Sequence, residues 1–261
     1  MTAPDPELSI IIPAYNEESR LPRALARIVD YFCSRPALAG LSRHFMPDFL
    51  EVVIVDDGST DATARIAEEW ARDMPFVRVV SNGDNRGKGY SVRRGMLEAR
   101  GNLALFTDAD LSSPIEEIAK LLDALAAGND VAIGSRALDR SLITIHQSRL
   151  REWAGMIFNG FVRIFTGLDL CDTQCGFKIF RRVPARIVFE QQRIEGFGFD
   201  PEVLFLAKRH GLRTAEAAVR WAHDPATKVH VIRDSVIMFG DLIYIRWNWF
   251  WGRYPKRARK K

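Results

Sequence analysis

Two carboxylates separated by one small residue are the clearest chemical feature of this 261-residue sequence. Asp108 and Asp110 follow the apolar run 103–106, which predicts a buried strand that ends where the acids begin. Alternate residues of an extended segment project to the same side, so the two side chains can converge on one point. Two carboxylates at such a short distance favour a cation between them, and a hard divalent ion with oxygen ligands suits the pair. If the ion also carries a diphosphate, the pair forms a clamp for a nucleotide-sugar; alternatively, one Asp caps the following helix and the other is solvated.

Acids also follow two earlier predicted strands. Carboxylates at these positions can accept a hydrogen bond from the ring N–H of a nucleobase, while the third pair holds a metal and phosphates. Each acid taken singly could be a helix N-cap. Paired acids at three strand ends are harder to explain by capping, and they favour a ligand site. The pairs are Glu17 and Glu18, Asp56 and Asp57, and Asp108 and Asp110.

The elements that position these acids are strands alternating with helices. That alternation through residue 136 predicts an α/β fold with a mainly parallel sheet and helices on both faces. In such sheets ligands bind beyond the carboxyl ends of the strands, where all three acid pairs lie. The predicted strands cover residues 8–13, 50–55, 76–80, 103–106 and 130–136, and a further strand is predicted at 175–180.

A glycine-rich loop at residues 85–89 is a second candidate for phosphate contact. Its glycines let the backbone approach a ligand closely, and Lys88 can neutralise the ligand's charge. The spacing of a P-loop, G-x-x-x-x-G-K-[ST], is absent. A simple loop with a solvated lysine is the alternative.

The cysteines and histidines of the sequence indicate neither a nucleophilic catalytic set nor a zinc site. Cys33, Cys171 and Cys175 are too few for a disulfide framework, which indicates a reducing compartment, and their spacing is not a zinc pattern. The five histidines are scattered, and no Ser-His-Asp set is evident. The first residues have no basic region followed by an apolar one, so we do not expect them to form a signal peptide.

The end of the chain combines aromatic residues with a basic tail. Residues 231–251 predict an aromatic helix that four charged residues interrupt, so we expect no membrane span. Aromatic side chains and Lys/Arg clusters both favour lipid interfaces, as does the apolar, arginine-containing helix predicted at 149–168. We therefore expect docking on a membrane surface. The alternatives are an amphipathic helix packed on the domain, with a disordered tail, and a nucleic-acid-binding arm.

The motifs, in their order along the chain, resemble the family 2 inverting glycosyltransferases of GT-A fold. The segments that carry this resemblance are residues 13–18, 55–61, 85–89, 108–110 and 134–136. Residues 172–178, with Trp221 and Lys228, are similar more specifically to the dolichyl-phosphate β-glucosyltransferases. The resemblance covers nearly the whole chain, and the ordered set is specific although no single motif is.

This resemblance implies a role for each matched residue. Asp108, Asp110 and Arg136 would be catalytic, with Asp110 the main ligand of Mg²⁺ or Mn²⁺ and Asp108 beside it. The nucleotide would contact Pro13, Ala14, Tyr15, Glu17, Asp57, Lys88, Asp108 and Ala109, with Asp57 facing the base. Phosphates of the donor or acceptor would contact Arg136, Arg149, Gln174 and Lys228. We expect a domain over residues 1–229, with a nucleotide-binding half at 1–136 and an acceptor half at 137–229, followed by a membrane-surface segment at 230–261.

The implied reaction is inverting transfer of glucose from UDP-glucose to dolichyl or polyprenyl phosphate, on the cytoplasmic face of a membrane and without nucleic acid. An acceptor phosphate is already an anion, so no strong general base is needed. Related mannose synthases carry a metal-binding glutamine where this chain has Ser112, and an arginine where it has Ala222. Both departures count against a GDP-mannose-dependent polyprenyl-phosphate mannosyltransferase, which stays an alternative. A non-catalytic nucleotide-sugar or membrane-binding protein and a nucleotidyltransferase are the others.

Overall fold

A seven-stranded sheet runs through the centre of the molecule. The computed structural model describes residues 5–34, 49–224 and 231–255. The strands occur in the order β3-β2-β1-β4-β7-β5-β8, and a separate two-stranded sheet pairs β6 with β9. Their bounds are β1 Leu8–Ala14, β2 Leu50–Asp56, β3 Val77–Ser81, β4 Leu103–Thr107, β5 Val131–Ser135, β6 Ile143–Ile145, β7 Phe177–Arg181, β8 Thr214–Ala218 and β9 Trp221–Ala222.

Helices cover both faces of the large sheet because its central strands are apolar on both sides. Ile10 and Ile12 of β1 enter one core with α1, α2 and α4, whereas Ile11 enters the opposite core with α3, α5, α6, α7 and α8. The predicted α/β class is thereby confirmed. The helices are α1 Leu21–Ser34, α2 Thr63–Asp73, α3 Lys88–Glu98, α4 Ile118–Ala126, α5 Arg149–Thr166, α6 Arg182–Phe189, α7 Phe199–Arg209 and α8 Val231–Phe250.

One strand runs against the others. β7 lies between β4 and β5 and is antiparallel to both, while β1, β2, β3 and β4 pair in parallel and β5 pairs in parallel with β8. The end of β4 and the beginning of β7 therefore meet at the same sheet edge, with Thr107 opposite Phe177. The predicted strand at 175–180 exists, but its direction and its place inside the sheet did not follow from its pattern.

The aromatic C-terminal helix packs on the domain as well as facing outward. Leu242, Ile245 and Asn248 of α8 are fully buried, and Phe239 makes edge-to-face contacts with Phe161 and Phe165 of α5. No helix within the described residues is long and apolar enough to cross a bilayer. The predicted boundary at residue 229 falls in residues 225–230, which are not described, and the basic residues 256–261 also lie outside.

Candidate active site

The acid pair lies where the register of the sheet places it. Asp108 follows the last residue of β4, and Gly176 precedes the first residue of the antiparallel β7, so the two face each other at the sheet edge. A Cβ atom added to Gly176 would lie 2.1 Å from Oδ2 of Asp108, far inside contact distance. Glycine at 176 therefore makes room for the Asp108 carboxylate.

The charges around the pair are densely packed. Nζ of Lys88 lies 2.6 Å from Oδ1 of Asp108, so the lysine of the glycine-rich loop is paired rather than solvated. Burial opposes the charged amine, but the carboxylates of Asp108 and Asp200 outweigh it and raise the pKa of Lys88. Burial and the neighbouring Asp108 raise the pKa of Asp110, although it accepts a hydrogen bond of 2.8 Å from the Ser112 N–H. Asp110 is thus a half-buried acid beside a like charge, which a cation would stabilise.

All eight predicted nucleotide residues line one cavity of about 530 Å³, which we call the donor cavity after that prediction. Its walls also include Arg20, Gly196, Phe197, Arg233 and Asp234, which the sequence did not single out. The three strand ends therefore converge as predicted, and the second half of the chain completes the cavity. The predicted residues in its lining are Pro13, Ala14, Tyr15, Glu17, Asp57, Lys88, Asp108 and Ala109.

The other two predicted acids in this lining, Asp57 and Glu17, also have protein partners. Asp57 is buried and accepts hydrogen bonds from the N–H groups of Arg86 at 3.0 Å and Gly87 at 2.8 Å, so it positions the glycine-rich loop. Glu17 forms an ion pair with Arg20 at 3.0 Å. The structure gives Asp57 a role in positioning the loop. Its contact with a nucleobase stays a prediction.

The donor cavity continues into a second cavity of about 280 Å³ at the acid pair, and Lys88, Asp108 and Asp110 line both. The predicted phosphate contacts Arg136 and Gln174 line the second cavity, and we call it the acceptor cavity after that prediction. A further cavity of about 250 Å³ shares several of its walls. The residues common to the second and third cavities are Arg136, Gln147, Arg151, Gly155, Phe158, Gln174 and Trp221. Predicted donor and acceptor residues therefore meet at the two aspartates.

Arg136 enters the acceptor cavity already held by a carboxylate. Its Nε and Nη2 donate to Asp172 at 2.6 and 2.8 Å, and its guanidinium lies 5.3 Å from the centre of the Trp221 ring. Burial disfavours both charges, but the pairing overcomes it, raising the pKa of Arg136 and lowering the pKa of Asp172 to about 2. A fixed, charged guanidinium is well suited to bind phosphate.

Two predicted phosphate contacts cannot be placed. Arg149 begins α5, but its side chain is not among those described. Lys228 lies in residues 225–230, outside the described part of the chain. Gln174 lines the acceptor cavity, and its contact with a phosphate stays a prediction.

Asp200 is the main residue that sequence reasoning missed. It lines the acceptor cavity beside the acid pair, and Lys178 of β7 donates to it and to the Cys175 carbonyl, the latter at 2.6 Å. Lys178 is fully buried, and its Nζ lies 5.2 Å from the centre of the Phe106 ring. A single lysine inside an apolar strand and an acid opening an apolar helix were the available signals, because buried charges are rarely unpaired.

A divalent cation fits this donor set in part. Asp108 and Asp110 supply carboxylate oxygens, which Mg²⁺ and Mn²⁺ prefer, and the raised pKa of Asp110 reflects charge repulsion that a cation would relieve. Within the described residues no three acidic, histidine or cysteine side chains form a metal centre. Mg²⁺ often binds through only one or two carboxylates and keeps several water ligands, so this pair of acids is compatible with such a site.

Comparisons with known proteins agree with these motifs. Residues 9–189, well over half of the chain, match the family described as "Glycosyl transferase family 2". The chain is 37% identical over 261 residues to dolichyl-phosphate β-glucosyltransferase of Drosophila melanogaster. The aligned region covers 97% of this chain and 76% of the relative. The Saccharomyces cerevisiae protein of that name is 35% identical, covering 97% of this chain and 78% of the relative, and the Homo sapiens protein is 32% identical, covering 99% and 81%.

A solved structure with a similar fold is glucosyl-3-phosphoglycerate synthase from Mycobacterium tuberculosis in complex with Mn²⁺, UDP and phosphoglyceric acid. The TM-score is 0.59 at 18% identity, and the match covers 97% of this chain and 80% of that chain. At this identity the likeness concerns the fold alone, and it confirms the predicted GT-A arrangement. The ordered motifs, the family match and the relatives agree, and the chain belongs to glycosyl transferase family 2 as a glycosyltransferase.

Proposed function

We propose that this protein transfers glucose from UDP-glucose to a polyprenyl or dolichyl phosphate, with inversion, giving a β-linked lipid-phosphate sugar. The observation that carries the proposal is that two cavities share Asp108 and Asp110 in their lining, one lined by the predicted nucleotide residues and the other by Arg136 and Arg151. Three relatives at 32–37% identity bear the name of this activity. Similar folds have been solved with UDP and with UDP-glucose.

The acceptor side is suited to a phosphate that carries an apolar chain. Arg136 and Arg151 supply positive charge, and Met156, Phe158 and Trp221 supply apolar walls. An alcohol acceptor would require a general base to remove its proton, whereas a phosphate acceptor is already an anion near neutral pH. The guanidinium groups can hold this second phosphate near the donor diphosphate because their positive charge offsets the repulsion between the two anions.

In the proposed reaction, a phosphate oxygen of the acceptor forms a bond to the anomeric carbon while the bond from that carbon to the UDP oxygen breaks. Arg136, held by Asp172, orients the attacking phosphate. Lys88 at the start of α3 contributes positive charge on the donor side. Attack from the face opposite UDP inverts the configuration and converts an α-linked donor into a β-linked product.

Asp110 and Asp108 are the residues that would hold Mg²⁺ or Mn²⁺ in this reaction. The bound ion would neutralise charge that develops on the leaving diphosphate. The positions of these acids at the junction of the two cavities support that role.

We also propose that the protein docks on the cytoplasmic face of a membrane, where its lipid acceptor resides. Both α5 and α8 carry large apolar side chains that are exposed at helical spacing, and the two helices pack together. A paired apolar stripe of this kind is unusual on a surface without a partner. The exposed residues are Trp153, Met156, Ile157, Phe161 and Ile164 on α5, and Val236, Ile237, Ile243, Tyr244, Trp247 and Phe250 on α8, followed by Trp251.

A donor panel tests the reaction. The full chain is incubated with Mn²⁺ or Mg²⁺, polyprenyl phosphate and radiolabelled UDP-glucose, UDP-galactose or GDP-mannose. Label is expected in the lipid phase with UDP-glucose, and NMR of the product should show a β anomer. Preference for GDP-mannose would support the mannosyltransferase alternative. Nucleotide binding without turnover of any donor would support a non-catalytic protein.

Point substitutions test the membrane surface better than truncation, because Ile245 and Tyr254 are buried and contribute to the core. Ile164 is 78% exposed and Phe250 is 81% exposed, so the double variant Ile164→Glu/Phe250→Glu should fold normally. We expect it to lose most binding to liposomes that contain anionic lipid, while turnover of a short-chain, water-soluble acceptor is kept. The control is Glu68→Gln/Glu69→Gln on α2, on the opposite side of the sheet. Equal liposome binding by the wild type and the first variant would contradict membrane docking through this surface.

A further inference from the structure

A tyrosine beyond the end of α8 is buried against a glutamate of α7. Tyr254 is 1% exposed, and its hydroxyl donates to Oε1 of Glu202 at 2.6 Å. The chain turns into this position at Gly252, which has φ of +65°, where the Arg253 N–H donates to the Asn248 carbonyl. This closes the helix with a Schellman-type turn and aims Tyr254 inward.

Glu202 connects this tyrosine to the loop between α6 and α7. Its carboxylate accepts hydrogen bonds from the N–H groups of Arg193 at 3.0 and 3.1 Å and of Ile194 at 2.9 Å. Glu202 is fully buried, so its charge depends on these donors and on Tyr254. The Arg193 side chain donates in turn to the Arg253 carbonyl at 2.8 Å, which ties the same two segments a second time.

The loop at 193–197 then reaches the donor cavity. The Glu195 carbonyl accepts a hydrogen bond of 3.1 Å from the Tyr90 N–H in the first turn of α3. A Cβ atom added to Gly87 would lie 2.6 Å from the Glu195 carbonyl oxygen, so the loop packs directly on the glycine-rich segment that carries Lys88. Gly196 and Phe197 of the same loop line the donor cavity.

We propose that Tyr254 and Glu202 are positioning residues for donor binding. Through Glu202, the docked end of α8 holds the 193–197 loop, and the loop holds the start of α3 with Lys88 in place. The helix that offers its exposed face to a membrane would in this way also set the geometry of the donor cavity. This inference rests on the proposed function, because it requires that the donor cavity binds a nucleoside diphosphate.

Tyr254→Phe tests the inference by removing a single hydroxyl. The full chain is titrated with UDP in the presence of Mn²⁺ by calorimetry, at a temperature well below that of unfolding, and each variant's Tm is measured without ligand. We expect the Kd for UDP to weaken by about tenfold in Tyr254→Phe. Tyr31→Phe removes a hydroxyl from another buried tyrosine, on α1, and should leave the Kd unchanged.

Glu202→Gln provides a second variant, since glutamine preserves the shape but loses the charge that orders the loop. We expect it to weaken UDP binding as well. The double variant Tyr254→Phe/Glu202→Gln should weaken binding no more than the larger single effect, because Tyr254 acts on the loop through Glu202. A lower Tm with an unchanged Kd in both single variants would overturn the inference, because it would show a structural role alone. A wild-type chain that binds none of UDP, GDP or ADP would instead overturn the proposed donor site, and this inference with it.

Discussion

Arg136 is held in the acceptor cavity by two parallel hydrogen bonds to Asp172, with Nε–Oδ2 and Nη2–Oδ1 distances of 2.6 and 2.8 Å. The Arg136 N–H donates to the same carboxylate at 3.0 Å, so backbone and side chain are fixed together. Asp172 in turn lies in a loop whose N–H groups are held by Glu216 of β8. The orientation of the cavity's guanidinium therefore depends on an acid 36 residues away in the chain.

Asp172→Asn should release this guanidinium without removing it. We expect the KM for the phosphate acceptor to rise by roughly 10- to 100-fold, because misplacement of about 1 Å is costly in a catalytic site. The affinity for UDP should change little, since Asp172 does not line the donor cavity. Steady-state kinetics with varied acceptor would measure the effect. Asp169→Asn, in the same loop but highly exposed, is the control.

Asp110→Asn should separate stability from activity. The raised pKa of Asp110 shows that its charge is disfavoured by burial and by Asp108, so an amide should leave the Tm without metal unchanged or slightly higher. Metal-dependent transfer should fall by on the order of 10²- to 10³-fold, since a charged ligand at the leaving diphosphate is lost. Calorimetry without metal and product assays with Mn²⁺ check the two outcomes. Full activity of the variant in the presence of a chelator would refute the assignment.

Gly176→Ala should disturb the acid pair from the opposite strand. The added methyl group would lie 2.1 to 2.8 Å from atoms of the Asp108 carboxylate, so either the carboxylate or β7 must move. We expect the pairing of Asp108 with Lys88 to be lost and activity to fall at least tenfold while the protein still folds. Gly160→Ala is a suitable control because its methyl group would meet nothing within 4 Å. In the helix α5 this control should be stabilising by up to about 1 kcal/mol.

Lys178→Met should be strongly destabilising because it leaves Asp200 as a buried acid without its main cation. The expected loss in the free energy of unfolding is about 3 to 5 kcal/mol, measured by urea denaturation. The double variant Lys178→Met/Asp200→Leu should recover much of that loss, because no buried charge then remains unpaired. A double variant no more stable than the single one would show that the lysine stabilises the fold through other contacts.

The carboxyl group of Asp241 should make the free energy of unfolding depend on pH. Its carboxylate lies against Gly198 at the start of α7, and burial raises its pKa from 3.8 to about 6. The folded protein therefore holds this proton more tightly than the unfolded chain, and the free energy of unfolding should decrease as pH rises from about 4 to about 6. Asp241→Asn should remove this residue's share of the slope and stabilise the protein at pH 7 by about 1 kcal/mol, after allowance for partial solvent screening. Asp123→Asn, exposed on α4, should keep the slope.

Local sequence patterns determined the donor side of the site. Apolar runs predicted strands β1, β2 and β4, and acids directly after them could lie only at the carboxyl edge of a parallel sheet. The convergence of Glu17, Asp57 and Asp108 on one cavity follows from that edge, and it was predictable because each contact depends on a strand and its next few residues.

Tertiary structure alone decided the rest. Strand β7 inserts antiparallel between β4 and β5, and this brings Gly176 against Asp108 and Lys178 beneath Asp200. Strand direction depends on long-range pairing and not on the period of apolar residues, so the pattern of 175–180 could not reveal it. In the same way, the burial of Tyr254 against Glu202 depends on how α8 packs on α7, although the sequence marked α8 only as an aromatic helix. Sequence determined which residues carry the chemistry, and tertiary packing decided which partners hold them in place.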